Sequence, residues 1–375
     1  ERRAGRPQSG PRVAPVHEPL LSWRRLPLLA IPASIYVALA GGFHPGFVFI
    51  LACAAILPLA GYLGEATEHL AARTGPTLGG LLNATFGNAA ELIIAIAALQ
   101  AGLIDLVKAS ITGSILGNLL LILGLSLVAG GLQRPTIRFN RTTAGIGTGM
   151  LCLAVTALVL PALFHHLHAG EALGLAELHL SEAVAVVLAL TYGFSLLFSF
   201  RTHHRLFGGE PHPPEGRRWS VGRATLVLGL ATAGVAVESE ILVHAIGQLT
   251  AGNGWFSESF LGLIVIPIIG NAAEHAAAVS VARKGKMELA LQIAMGSSTQ
   301  VALLVAPLLV FAGALLGPSP AGHYMSLVFR PIEVVAMGLA TVLAAIVTLD
   351  GESHWFEGVQ LLALYLMLAI AVFFI

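Results

Sequence analysis

Apolar residues run along this chain in long blocks, interrupted by short clusters of charge, proline and glycine. Four stretches, 109–133, 142–164, 183–200 and 358–375, contain no Asp, Glu, Lys or Arg. About 20 apolar residues in a helix span the hydrocarbon core of a bilayer. The punctuation predicts eleven helices, at 26–42, 46–72, 76–102, 106–131, 142–164, 179–200, 223–249, 258–282, 287–315, 325–349 and 355–375. Helices longer than a bilayer is thick must tilt, kink or protrude.

Composition agrees with this pattern. Of 375 residues, 56% are hydrophobic and 11% charged, against about 25% charged in a soluble domain. Mean hydropathy is +0.83. The fold class is therefore an all-α polytopic membrane protein whose surroundings are a lipid bilayer. The 20 basic and 20 acidic residues balance, so no nucleic-acid partner is indicated. Cys53 and Cys152 both lie in apolar stretches, which leaves no disulfide framework. Residues 1–25 read as a disordered basic tail without the apolar core and cleavage site of a signal peptide. The sequence opens on Glu1 rather than Met.

The positive-inside rule orients the helices. With the N-terminal tail cytoplasmic, 18 of the 20 basic residues fall in cytoplasmic segments, and only Lys108 and Arg330 sit at outer helix ends. The cytoplasmic 201–222 segment, carrying His203, His204 and His212, is a natural seam. The outer 165–178 loop carries His165, His166, His168, Glu171 and Glu177 and reads either as a solvated polar loop or as a metal-binding cluster.

An internal repeat follows the seam. Gly87-Asn88-Ala89-Ala90-Glu91 recurs as Gly270-Asn271-Ala272-Ala273-Glu274, 183 positions later, and 16 of 46 positions match between 87–132 and 270–315. Thr67-Glu68 parallels Ser239-Glu240 at an offset of 172. The expected organisation is a peripheral first helix over 26–45, a five-helix repeat over 46–200, a linker over 201–222 and a second five-helix repeat over 223–375. An odd helix number inverts the second copy in the membrane. Inverted repeats with broken helices near the midplane typify secondary transporters and mark their substrate sites.

Glu91 is the only charged residue between Arg73 and Asp105, and Glu274 is its mate. A carboxylate at bilayer depth costs about 2.5–3.5 kcal/mol even on insertion scales, so it has a partner or a task; the plain alternative is a protonated Glu in a structural hydrogen bond. Asn88 and Asn271, three residues before the acids, share their faces. Gly87 and Gly270 let each helix loosen and turn a carbonyl toward a ligand. Carboxylate, amide, carbonyl and hydroxyl oxygens suit Ca²⁺ better than Zn²⁺ or Cu²⁺. Once the metal leaves, repulsion and desolvation favour protons on the same oxygens. Ser114, Asn118, Ser297, Ser298 and Gln300 are secondary candidates, each Ser equally readable as a packing residue. Glu68 and Glu240 guide cations or protons, or else lie at helix ends; Glu65 and Glu238 read as flank charges. His275 relays protons or hydrogen-bonds across helices.

Leu81–Ile94 (Leu-Leu-Asn-Ala-Thr-Phe-Gly-Asn-Ala-Ala-Glu-Leu-Ile-Ile) resembles the first repeat motif of the Ca²⁺/H⁺ antiporters, or cation exchangers. Gly270-Asn271-Ala272-Ala273-Glu274-His275-Ala276 with Gly296-Ser297-Ser298-Thr299-Gln300-Val301-Ala302 resembles the second. The resemblance implies eleven helices with a dispensable first one. It places a Ca²⁺ site between the third and eighth, with Glu91 and Glu274 as ligands and Asn88, Asn271, Ser297 and Gln300 beside them. Glu68 and Glu240 match the family's acids on the second and seventh helices. Eukaryotic members carry an acidic helix between the halves, whereas 201–222 here is basic and Pro-rich. The likeness is to a prokaryotic plasma-membrane member.

The expected function is exchange of cytoplasmic Ca²⁺ for H⁺ by alternating access, with no cofactor and no enzymatic activity. The readings left open are an exchanger coupled to Na⁺ or K⁺, a cation channel, and an intramembrane enzyme. For the last, neither a His-Glu-x-x-His nor a Gly-x-Ser-x-Gly motif appears.

Overall fold

The computed structural model describes residues 26–74, 76–132, 134–168, 174–203, 219–251 and 256–374. The N-terminal tail and most of the 201–222 linker lie outside the described residues. The helices are α1 (Ala30–Ala40), α2 (Pro45–Thr74), α3a (Pro76–Phe86), α3b (Ala89–Gln100), α4 (Ile104–Gly131), α5 (Arg141–Leu167) and α6 (Gly174–Thr202). After the linker come α7 (Val221–Thr250), α8a (Glu258–Gly270), α8b (Ala272–Arg283), α9 (Met287–Leu316), α10 (Pro331–Thr348) and α11 (Trp355–Phe373).

By length and apolarity, eight single helices among the described residues can cross a bilayer, and α8a with α8b, bent by 61°, forms either a broken ninth span or a re-entrant loop. The chain is an integral membrane protein. Helices α1 and α3b are apolar but shorter, so the expected eleven helices all have counterparts although not all are full spans. Three boundaries differ by several residues from the sequence reading, the sixth helix beginning at Gly174 rather than 179. The tenth helix begins at Pro331 rather than 325, because Pro at the first helical position favours a start there and holds Arg330 extended. The first helix opens with a 3₁₀ turn, Leu26–Leu29, and ends where Gly41 takes φ 66°. A two-residue antiparallel ladder, β1 (Ile137–Arg138) with β2 (Glu352–Ser353), joins two loops.

Helix α4 is the axis of the bundle: 83% of its apolar window is buried, against 17% for α6 and 22% for α11. Its Leu116, Leu119, Leu120 and Leu123 are wholly enclosed. Glycines bring α4 and α8a together. A Cβ on Gly113 would collide with the Leu263 carbonyl and Pro267, and one on Gly262 with Ala109 and the Leu106 carbonyl. In lipid, close backbone approach of this kind supplies the packing that a hydrophobic effect cannot.

The 30-residue helices α2 and α7 form an antiparallel pair, with Gly234 lying under Leu59. The two ends of this pair are packed differently. Ala52, Cys53, Ile56, Leu242, Val243 and Ile246 belong to the main core. Leu59, Ala60, Leu63, Ala231 and Val235 form a separate small core with Ala90, against which Ile31 of α1 packs. At this second end, Arg73 donates to the Trp219 carbonyl (2.6 Å) and His69 stacks on the Trp219 ring. The pair is thus anchored at one end and detached from the main core at the end bearing Arg73.

Candidate ion-binding site

Helix three breaks at Gly87–Asn88 and helix eight at Asn271, so the residue before each short helix is an asparagine. Asn88 sits at φ −98°, ψ 15° and Asn271 at φ −97°, ψ 8°; the repeated pentapeptide folds into the same turn twice. Neither Asn side chain caps its own helix. The third helical residue beyond each break is the acid, Glu91 or Glu274, in a first turn whose dipole favours a carboxylate.

The two breaks face one another. A Cβ at Gly87 would stand 3.7 Å from Glu274 Oε1, and one at Gly270 would stand 3.1 Å from Glu91 Cγ. Each acid therefore lies against the glycine of the other repeat, and the two carboxylates are near enough to repel. The surrounding donors obey the same symmetry. Ser114 donates to Glu91 Oε1 (3.1 Å), and its repeat mate Ser297 bonds Glu274. Asn271 donates to Ser114 Oγ (3.4 Å) and also bonds Glu91.

Two contacts depart from symmetry. Asn118 donates to Ser297 Oγ (3.0 Å), and Asn88 donates to Gln300 Oε1 (2.7 Å). Each stands at a π-helical turn, Gly117–Ile122 in α4 and Val301–Val305 in α9. The turns are repeat mates, and such turns frequently mark functional sites. One Glu274 oxygen, Oε2, is buried with no hydrogen-bond partner among the described residues. The centre thus gathers two carboxylates, two hydroxyls and four amide side chains, a hard-oxygen set that matches a divalent cation such as Ca²⁺.

The cavity that reaches Glu274 lies at one end; another of about 460 Å³, lined by Asp105, Lys108 and Glu177, lies at the other and touches neither acid. A cavity of about 470 Å³ is lined by Glu65, Glu68, Asn83, Glu274, Ser297 and Gln300 among others. A second, mostly apolar cavity of about 370 Å³ shares Asn83, Gln292, Gly296 and Gln300 with it. Both lie toward the end carrying Arg73, Arg283 and Lys286. Glu274 faces the first cavity; Glu91, buried, lines neither. At the opposite end Arg330 pairs with Asp105 (2.6 Å) and bonds Ser259, and Lys108 donates to the Val328 carbonyl (2.8 Å) and Ser326 (3.2 Å).

The structure therefore brings together Glu91, Glu274, Asn88, Asn271, Gly87, Gly270, Ser114, Ser297 and Gln300. Other expected positions fall elsewhere. Glu68 is exposed on the cavity wall, whereas Glu240 is exposed and lines neither of these cavities. His275 is half-buried beside the cluster, with a buried Nε2 lacking a partner among the described residues. Ser298 bonds the Ala294 carbonyl of its own helix. Two flank charges are not flanks: Glu65 lines the cavity, and Glu238 is fully buried against Ser34. Asn83 and Gln292 were not singled out in the sequence, although each is a lone amide in an apolar stretch. In the outer loop His165 pairs with Glu177, and among the described residues no group of three or more His, Cys, Asp or Glu could hold a metal.

The family model described as sodium/calcium exchanger protein matches residues 44–201 and 223–374. The chain belongs to the sodium/calcium exchanger protein family. Within this family it is 44% identical over 346 residues to a protein named Ca(2+)/H(+) antiporter from Aphanothece halophytica, covering 87% of this chain and 90% of the relative. It is also 44% identical over 331 residues to the Ca(2+)/H(+) antiporter ChaA of Bacillus subtilis, covering 87% and 92%. Among solved structures, native YfkE superposes with a TM-score of 0.79 at 40% identity, over 92% of this chain and 98% of that one. The H⁺/Ca²⁺ exchanger CAX shares the fold, with a TM-score of 0.67 at 15% identity over 94% and 92%. The resemblance read from the two Gly-Asn-Ala-Ala-Glu motifs is borne out.

Proposed function

We propose that this member of the family is a secondary active antiporter that moves Ca²⁺ out of the cytoplasm in exchange for H⁺, with Glu91 and Glu274 binding Ca²⁺ or protons in turn. The observation that carries the reading is the reciprocal packing of the two acids against Gly87 and Gly270, which gathers one oxygen-rich centre from both repeats. The names of the relatives at 44% identity supply the two ions. Two carboxylates neutralise a divalent ion; without it, their repulsion and burial favour protons. Competition for the same oxygens couples the fluxes.

Alternating access draws on the two-ended packing of α2 and α7. The repeats 46–200 and 223–375 are inverted copies, and the basic end is cytoplasmic by the positive-inside rule. The cavity then opens to the cytoplasm between α2, over Ala60–Glu68, and helices α3, α8 and α9. Rocking of this pair against α3, α4, α8 and α9 closes that gap and opens its repeat-related counterpart, as in other inverted-repeat transporters. Glu68 and Glu65 line the cytoplasmic path, Glu240 stands at the position related to Glu68 on the other, and His275 passes protons beside Glu274. The location is a prokaryotic plasma membrane.

The test is Ca²⁺ uptake into everted vesicles under an imposed pH gradient, with and without Na⁺. Uptake that needs the pH gradient and ignores Na⁺ is expected, and its loss in Glu91→Gln and Glu274→Gln. Uptake driven by Na⁺ alone would assign the counter-ion differently, and full transport by either variant would remove the assigned centre.

A further inference from the structure

Among the described residues two buried acids take no part in the ion centre: Glu333, which accepts from the Arg330 backbone N–H at the start of its own helix, and Glu238, which is wholly enclosed. It sits in the α2-facing half of α7, at a level fixed by the antiparallel register: Gly46 of α2 approaches Leu249, and Leu59 approaches Gly234. Glu238 therefore lies opposite Ala55 and Ile56, which are also fully enclosed. Its hydrogen-bond partner comes from α1. Ser34 Oγ, itself enclosed, is 2.6 Å and 2.7 Å from the two Glu238 oxygens and 3.0 Å from the Ile31 carbonyl oxygen.

The charged and titratable groups on the elements packed around Glu238 lie elsewhere or are engaged with other partners. Helix α1 offers only Tyr36, which is exposed. Helix α2 offers the buried thiol of Cys53 near this level, with Tyr62, Glu65, Glu68, His69 and Arg73 lying toward the basic end. Helix α3b offers Glu91, whose bonds go to Ser114 and Asn271. On α7 itself Glu240 is exposed, His244 bonds Gln248, and Arg223 lies over Trp219. Among the described residues none of these cations pairs with Glu238.

A hydroxyl has one hydrogen and accepts two. Three oxygens surround that single hydrogen. If Glu238 were ionised, Ser34 could satisfy only one of them, leaving an enclosed charge with one hydrogen bond and no counter-ion, which is strongly disfavoured. If Glu238 carries a proton, the hydrogens suffice: the carboxylic acid donates to Ser34 Oγ, and Ser34 donates to the Ile31 carbonyl. We infer that Glu238 is a proton-binding site separate from the Glu91/Glu274 centre, and that the bound proton clasps α1 to α7. Loss of the proton leaves a charge that needs water, and water reaches it only by parting α1 from α7.

Infrared difference spectroscopy of the purified protein in saturating Ca²⁺ tests the proton directly, because Ca²⁺ on Glu91 and Glu274 removes their carboxylic-acid signals. Wild type minus Glu238→Gln should show loss of one carboxylic-acid C=O band, and Ser34→Ala should shift that band to higher frequency as its hydrogen bond is lost. Should Glu238→Gln fold poorly, the shift in Ser34→Ala reads the same proton. Absence of both the loss and the shift would overturn the inference. Bands from Glu91 and Glu274 that persist in Ca²⁺ would fault the ion-site reading instead, and leave the Glu238 difference legible. Hydrogen exchange tests the clasp: corrected for intrinsic rate, protection of α1 should fall with rising pH in wild type and stay level in Glu238→Gln. Parallel profiles would refute the clasp.

Discussion

Gly113 and Gly296 occupy the same place in the two repeats but meet opposite surroundings, and this makes them a matched pair of probes. A Cβ added to Gly113 would fall 2.6 Å from Pro267 Cγ and closer still to the Leu263 carbonyl oxygen, a backbone atom that cannot yield without moving α8a. A Cβ added to Gly296 meets nothing within 4 Å, because Gly296 faces both cavities. Each Gly→Ala change gains about 1 kcal/mol of helix propensity. Overpacking at Gly113 costs about 1–3 kcal/mol, so the two variants should differ by that amount, with Gly113→Ala the less stable. The assay is thermal unfolding in one detergent, with wild type, Gly113→Ala and Gly296→Ala side by side. Gly296→Ala should melt at or above wild type and Gly113→Ala below it. Equal melting of the two, or the reverse order, would refute the reasoning that α4 and α8a meet backbone to backbone at Gly113 while Gly296 faces open space.

Three further outcomes are expected. Ala277 lines the open cavity, while its repeat mate Ile94 is 1% exposed, so a cysteine at 277 should react with a charged maleimide at least tenfold faster than one at 94; similar rates would place the opening elsewhere. Asn118→Leu removes the donor to Ser297 and leaves a buried hydroxyl short of a partner, a loss of about 1–3 kcal/mol. It should weaken Ca²⁺ binding in calorimetry by roughly five- to 150-fold, and unchanged affinity would remove Asn118 from the centre's support. The Asp105–Arg330 pair is about half-exposed on both sides, so Asp105→Asn should cost no more than about 1 kcal/mol in thermal unfolding; a larger loss would show this pair to be a principal tie between α4 and α10.

Much of the candidate centre could be read from the sequence because its signal is repetition. A pentapeptide containing an acid inside an apolar run, recurring 183 positions later, ties position, residue type and membrane depth together without coordinates. The glycines at 87 and 270 foretold the breaks. They did not foretell that each would receive the other repeat's acid, since that depends on how two helices cross. The π turns at Gly117–Ile122 and Val301–Val305 have no residue signature; they follow from packing. Hence Asn118 and Gln300 were candidates without partners, although each turned out to hold one side of the centre.

Glu238 was misread for a physical reason. Its burial is created by Ser34, 204 residues away, and a helix wheel cannot show a partner from outside the repeat. Glu65, read as a flank charge, lines the cavity because α2 leaves the core along the half that carries it. The helix starts followed local rules where those were applied: Pro331, not the first apolar residue, opens the tenth helix.

The claim on which the account rests is that one pair of carboxylates exchanges protons for Ca²⁺, and proton release on Ca²⁺ binding measures it most directly. Purified protein in weakly buffered detergent solution, titrated with Ca²⁺ while pH is followed, should release protons in step with binding. The double variant Glu91→Gln/Glu274→Gln should neither bind Ca²⁺ nor release protons. Ca²⁺ binding with undiminished proton release in that variant would contradict the account.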